Sequence, residues 1–188
     1  MKYNHLKWLG AICWALTYIF FILIAVNEKY AMIPLIVCCY NISYELLYSI
    51  KADSKGQRLR NGIWFMLDIF IVYYHLNEGS HLIWFLSCFG VFLLIQFILT
   101  QHVNKSSVKG FAWFVTCLMA IILINQELPN SIFVNMALTN KLLGDLFYGV
   151  AHLYYGLPEK EQIDKSYYKW IQGAIVSSFF LNVFLLFF

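Results

Sequence analysis

The chain has 188 residues, of which 61% are hydrophobic, 19% aromatic and only 12% charged. Soluble domains carry about a quarter of charged residues, so this composition belongs to a membrane protein and excludes a separate soluble domain, a Rossmann unit or a P-loop. Thirteen basic and ten acidic residues leave a net charge of +3, too small and too dispersed for a nucleic-acid surface.

Seven apolar stretches follow one another between polar punctuation: Trp8–Val26, Ala31–Ile50, Gly62–Leu76, His81–Thr100, Val108–Gln126, Ser131–Tyr155 and Tyr168–Phe188. Their lengths suit tilted transmembrane helices and exceed the roughly ten alternating residues of a barrel strand. The third is short and is expected to continue into Asn61 and Asn77. The first has a basic flank but no small-residue cleavage site after it, so it reads as a retained anchor. If the helices alternate sides, one face collects Lys2, Lys7, Lys51, Lys55, Arg58, Arg60, Lys105, Lys109, Lys160, Lys165 and Lys169, and the other only Lys29. This positive-inside pattern predicts an all-α, seven-transmembrane-helix bundle, with the N-terminus cytoplasmic and the C-terminus outside. Residues 1–188 are expected to form a single transmembrane helical domain, with no internal repeat or long linker. The five cysteines, Cys13, Cys38, Cys39, Cys88 and Cys117, lack CxxC or Cys/His metal spacing and read as reduced core residues.

Seven of the ten acidic residues lie in loops or at helix ends, but Glu45, Asp68 and Asp145 lie within spans. An ionised carboxylate there costs about 2.5–3.5 kcal/mol, so each must face the protein interior, find a partner or take up a proton. At a rise of 1.5 Å per residue, Glu45 and Asp68 stand ~9 Å and Asp145 ~15 Å from the cytoplasmic ends of their helices. Those depths suit one pocket opening towards the cytoplasmic half. Asn41, Tyr48 and Ser49 share a helix face with Glu45, where Asn41 can donate to the carboxylate or orient its proton; a polar clamp between helices is the alternative. Around Asp145 stand Lys141 one turn before, Tyr148 three residues after, and Asn140 and His152 on the same helix. A Lys141–Asp145 pair either makes a buried charge structural or keeps Asp145 ionised, with His152 a possible proton shuttle. Asp68 shares its face with Trp64, a possible donor to it; a carboxylate favoured by its helix N-terminus is the alternative. The 36 aromatic residues exceed what interfacial belts require, and rings lining a cavity stabilise cations by roughly 2 kcal/mol each when desolvated.

Two stretches carry a family likeness. The run Cys38-Cys39-Tyr40-Asn41-Ile42-Ser43-Tyr44-Glu45-Leu46-Leu47-Tyr48 resembles the Asn, aromatic-Glu, Tyr motif on the second helix of the small integral-membrane terpene cyclases of fungal meroterpenoid pathways and their bacterial relatives. Asp145-Leu146-Phe147-Tyr148-Gly149 resembles their second acidic motif. The resemblance implies Glu45 and Asp145 as the essential carboxylates of a cyclase that needs no cofactor and no metal. Such an enzyme protonates a prenyl chain or its epoxide and steers the carbocation between aromatic walls. The chain departs from the pattern in being shorter than the fungal members and in having an apolar helix after the Asp145 motif. Glu45, with no cation one turn away, is the preferred acid. The sequence lacks the Asp-rich run that holds magnesium and a pyrophosphate. The expected partners are a hydrophobic prenyl or terpenoid substrate and the lipid bilayer, that of a bacterial cell membrane. Two other readings use the same carboxylates: a proton-coupled transporter or channel, and a scaffold whose acids only lock helix packing. Against the transporter, no inverted repeat or pair of broken helices is evident.

Overall fold

The computed structural model describes residues 2–52, 55–77, 82–102, 105–155 and 165–187. Among these residues it is all helical, with seven helices and no strand: α1 Lys2–Glu28, α2 Leu35–Lys51, α3 Lys55–Asn77, α4 Leu82–His102, α5 Lys105–Ile124, α6 Ile132–Tyr155 and α7 Lys165–Phe187. Each apolar stretch read from the sequence overlaps one of them. One helix segment, His5–Glu28, is long and apolar enough to cross a membrane, and shorter apolar segments run over Leu82–Ile98, Ala112–Ile124 and Ile171–Phe187.

Helix ends differ from the sequence expectation where local chemistry intervenes. α1 stops at Glu28, and Lys29 takes a left-handed conformation with φ 53°, the usual way of turning a chain out of a helix. α2 starts at Leu35 and not at Ala31, because Pro34 disfavours helical backbone in the residue before it. Pro34 still contributes its carbonyl, which accepts from the amides of Val37 and Cys38. The carbonyl of Ile33 is bonded to the His75 imidazole of α3. α3 extends back to Lys55, six residues before the expected Asn61, through a run in which Lys, Gln, Arg and Leu, good helix formers, outweigh Gly56. The α2–α3 turn is tied by Arg58, which donates to the carbonyl of Ala52 at 2.6 Å.

The helices group into two compact units. One takes Met1–Phe20 and Asn104–Phe188, and in it α7 packs against α5 and α6. The other takes Phe21–Val103, with α2 packed between α3 and α4. The interior is mostly apolar but also takes in polar and charged side chains, while many large apolar ones face outward. Thr17, Ser43, Glu45, Asn61, Asp68, Gln96, Lys141, Asp145, Ser178 and Asn182 are buried, while Ile50, Leu59, Ile83, Leu94, Ile132, Phe180 and Phe187 are each at least 60% exposed. Polar residues inside and large apolar ones outside suit a chain whose outer solvent is lipid.

Candidate functional site

The sequence's two best acids fall in different units, and each is described in its own surroundings. In the unit of α2–α4, Glu45 of α2 meets Asp68 of α3, and the two carboxyl groups come within hydrogen-bonding reach. Glu45 is 4% exposed and Asp68 is fully buried. The Glu45 Oε2 atom is buried without a hydrogen-bond partner. Asp68 is far from the start of its helix, since α3 begins thirteen residues earlier at Lys55. The alternative in which a helix N-terminus and interfacial water hold Asp68 is therefore corrected: the group that Asp68 meets is another carboxyl.

Local sequence explains the meeting. α2 buries Cys38, Ser43 and Glu45 along with Val37, Cys39, Ile42 and Leu47, and α3 buries Asn61, Asp68, Ile71 and Val72. Half of the described buried positions of α3 are thus polar, and they need partners across the helix seam. Cys38, seven residues before Glu45, lies within electrostatic reach of both carboxyls. Tyr40, Tyr44 and Tyr48 climb α2 at four-residue spacing, with ring centroids 6.1 Å and then 4.5 Å apart. Phe92 of α4 meets Tyr40 edge-on at 5.8 Å, and the fully buried Gln96 of α4 lies beside the Tyr40 hydroxyl. Asn41 and Tyr48 are half-buried, as is Trp64, whose ring lies under the Arg60 guanidinium at 5.4 Å.

In the other unit the expected Lys141–Asp145 pair forms at 3.3 Å, with both side chains at most 2% exposed. One carboxylate oxygen, Asp145 Oδ2, accepts from Lys141, from the Ser178 hydroxyl at 3.1 Å and from the Asn182 amide at 2.6 Å. Asn182 in turn accepts from Lys141 through Oδ1 and donates to the carbonyl of Ser178. Trp14 of α1 reaches the same carboxylate, and its ring lies 5.3 Å from the Lys141 ammonium. Its approach depends on Gly144, where an added Cβ would stand 2.7 Å from Trp14 Cδ1. Tyr148 is half-buried, packs on the Trp113, Ile171 and Ile175 cluster and lies against Gly10. Asn140 donates to the carbonyl of Met136, so it is spent on its own helix. The side chain of His152 lies outside the described residues.

Trp14, Ser178 and Asn182 in one unit, and Cys38, Asn61 and Gln96 in the other, were not singled out by the sequence reading. Part of the signal was present. Ser178 and Asn182 are four apart in an apolar run, and Gln96 interrupts another, each a costly group that must find a partner inside. Among the described residues, no group of three or more His, Cys, Asp or Glu side chains is placed to hold a metal ion.

Residues 2–81 match the family model of Pyr4-like transmembrane terpene cyclases. The Pyr4-family terpene cyclase mfmH of Annulohypoxylon moriforme is 36% identical over 65 residues, which are 34% of this chain and 27% of that protein. The chain therefore spans little more than a quarter of that relative's length in the match. No solved structure matches. The matched residues include Asn41, Glu45, Tyr48, Trp64 and Asp68, and end before Lys141 and Asp145. The match supports the family resemblance read around Glu45 over those residues.

Proposed function

Residues 2–81 match the family model of the Pyr4-like transmembrane terpene cyclases, and from that match we propose that the chain is a membrane-embedded terpene cyclase that starts its reaction with a proton. The observation that supports it best is the facing pair Glu45 and Asp68, buried within the matched residues. Two bare carboxylates have no donor between them, so a hydrogen bond joining them holds one proton. Glu45 is the acid, because it is the carboxyl of the Asn, aromatic-Glu, Tyr motif within the matched residues and has no cation one turn away. Asp68 is its reservoir and retains the remaining charge.

In this reading Glu45 gives its proton to a substrate epoxide oxygen or terminal alkene carbon. With an epoxide a C–O bond breaks, the oxygen becomes a hydroxyl and the adjacent carbon becomes a cation. Internal double bonds then attack in turn, closing rings, while tyrosine faces such as those of the α2 ladder stabilise the positive charge. Loss of a proton to the carboxylate pair or to water ends the sequence as an alkene, and capture of water ends it as an alcohol. Asp145 remains the second proposed carboxylate, an anion fixed by Lys141, Ser178 and Asn182. The seven helices are proposed as seven crossings of a single transmembrane domain, residues 1–188. The basic loops then lie on the cytoplasmic side and the C-terminus outside.

The test is a product assay on purified protein with farnesyl and geranylgeranyl compounds, prenylated aromatics and their terminal epoxides. Cyclised product from the parent, lost in a folded Glu45→Gln variant, is expected. Product formation that survives Glu45→Gln overturns the assignment of the acid. Proton flux across liposomes without cyclised product replaces the cyclase with the transporter.

A further inference from the structure

Two buried donors on α3 find no acceptor among the described residues: Nε of Arg60 and Nδ2 of Asn61. Asn61 is 1% exposed, while Arg60 and Trp64 are half-buried. Native chains seldom leave a buried donor unpaired, so two on adjacent residues mark where an acceptor from outside the chain is held. At 100° per residue Arg60, Trp64, Asp68 and Asn61 fall on one face of α3. The Arg60 guanidinium is steadied by the Trp64 ring beneath it. Nearby, α3 runs close to α2, since a Cβ on Gly62 would stand 4.0 Å from that of Ser49. The neighbouring Arg58 is spent on the Ala52 carbonyl, which leaves Arg60 as the guanidinium with an unused buried donor.

A guanidinium fork with an amide donor beside it fits an anionic oxygen, which accepts several charge-assisted hydrogen bonds at once. Asn61 precedes Asp68 by seven residues, ~10 Å along the helix axis. We propose that Arg60 and Asn61 hold the anionic, oxygen-bearing head group of a prenyl substrate, whose hydrocarbon tail runs past Trp64 towards Glu45 and Asp68. That the tail is then cyclised rests on the function proposed above; the head-group site rests on the two donors. The arrangement selects substrates that keep their head intact and react at the far end of the chain.

The experiment measures binding without turnover. Full-length protein in phosphatidylcholine nanodiscs is titrated with geranylgeranyl phosphate and with geranylgeraniol, with quenching of tryptophan fluorescence as the readout. The phosphate is expected to bind at least about tenfold more tightly than the alcohol, as a charge-assisted contact would give. Arg60→Gln should erase that preference, Arg60→Lys should keep part of it, and Asn61→Leu should reduce it severalfold. Equal binding of phosphate and alcohol by the parent, or a preference that survives Arg60→Gln, overturns the proposal. The titration is repeated in nanodiscs containing phosphatidylglycerol, where the preference should persist; its disappearance there assigns Arg60 to a lipid head group and overturns the substrate site. Since Glu45→Gln should bind with the parent's preference, a failed product assay leaves this result independent.

Discussion

Glu45 and Asp145 are both acids buried inside helices, yet their surroundings differ in kind. Asp145 has a cation one turn away and further donors from Ser178, Asn182 and Trp14, so its charge is met on several sides. Glu45 meets another carboxyl; both acids leave one buried oxygen without a hydrogen-bond partner, Glu45 Oε2 and Asp145 Oδ1, so the difference lies in what meets the rest of each carboxyl. A neutralised network of the first kind holds helices in place and resists removal of any member. A facing pair of carboxyls of the second kind gives little to stability and, in the function proposed above, holds the proton that starts the reaction. Burial alone therefore does not distinguish the two carboxylates; what faces each of them does.

The contrast can be broken by substitution, and the effects should separate activity from stability. Glu45→Gln is expected to lower cyclisation by roughly 10²–10⁴-fold, the usual contribution of a general acid. It should leave stability within about 1 kcal/mol of the parent or raise it, because one of two facing carboxyls is gone; product quantification with unfolding in detergent measures both. Lys141→Met should destabilise the fold by ~3–5 kcal/mol, since it strands a buried carboxylate. Adding Asp145→Asn to it should restore much of that loss, and an unfolding series on the single and double variants would show whether the pair is a structural unit. Asn182→Leu should cost ~1.5–3 kcal/mol, the value of hydrogen bonds to charged groups. An unchanged unfolding midpoint would remove Asn182 from the network.

Smaller effects sharpen the same contrast. Gly144→Ala forces a methyl to 2.7 Å from the Trp14 ring and should cost ~1–3 kcal/mol, whereas Gly173→Ala meets no atom within 4 Å and should gain up to about 1 kcal/mol. Comparable midpoints for the two alanine variants would argue against Trp14 lying on Gly144.

Much of the helix plan was legible because its signals are local. A run of apolar residues bounded by charge or by Pro34 marks an element whatever lies beside it, and all seven stretches overlap helices. The Lys141–Asp145 pair was legible for the same reason, its members being one helical turn apart. Asp68 shows where local reading stops. Its distance from the helix start depended on Lys55–Arg60 joining the helix, and its partner lies 23 residues back in the chain. Trp14 was missed because its relevance is set by Gly144, a residue distant in sequence whose lack of a side chain matters only once α1 packs on α6.

By itself, the sequence determined that the chain is helical and apolar outside, and that Glu45 lies in a motif resembling those of membrane terpene cyclases. These properties follow from composition, short-range spacing and a contiguous motif. Only the tertiary structure decided that Glu45 faces Asp68, that Asp145 is enclosed by Ser178, Asn182 and Trp14, and that Arg60 and Asn61 keep unused donors. Contacts between helices depend on which faces pack and at what register, and no spacing within a single helix encodes them.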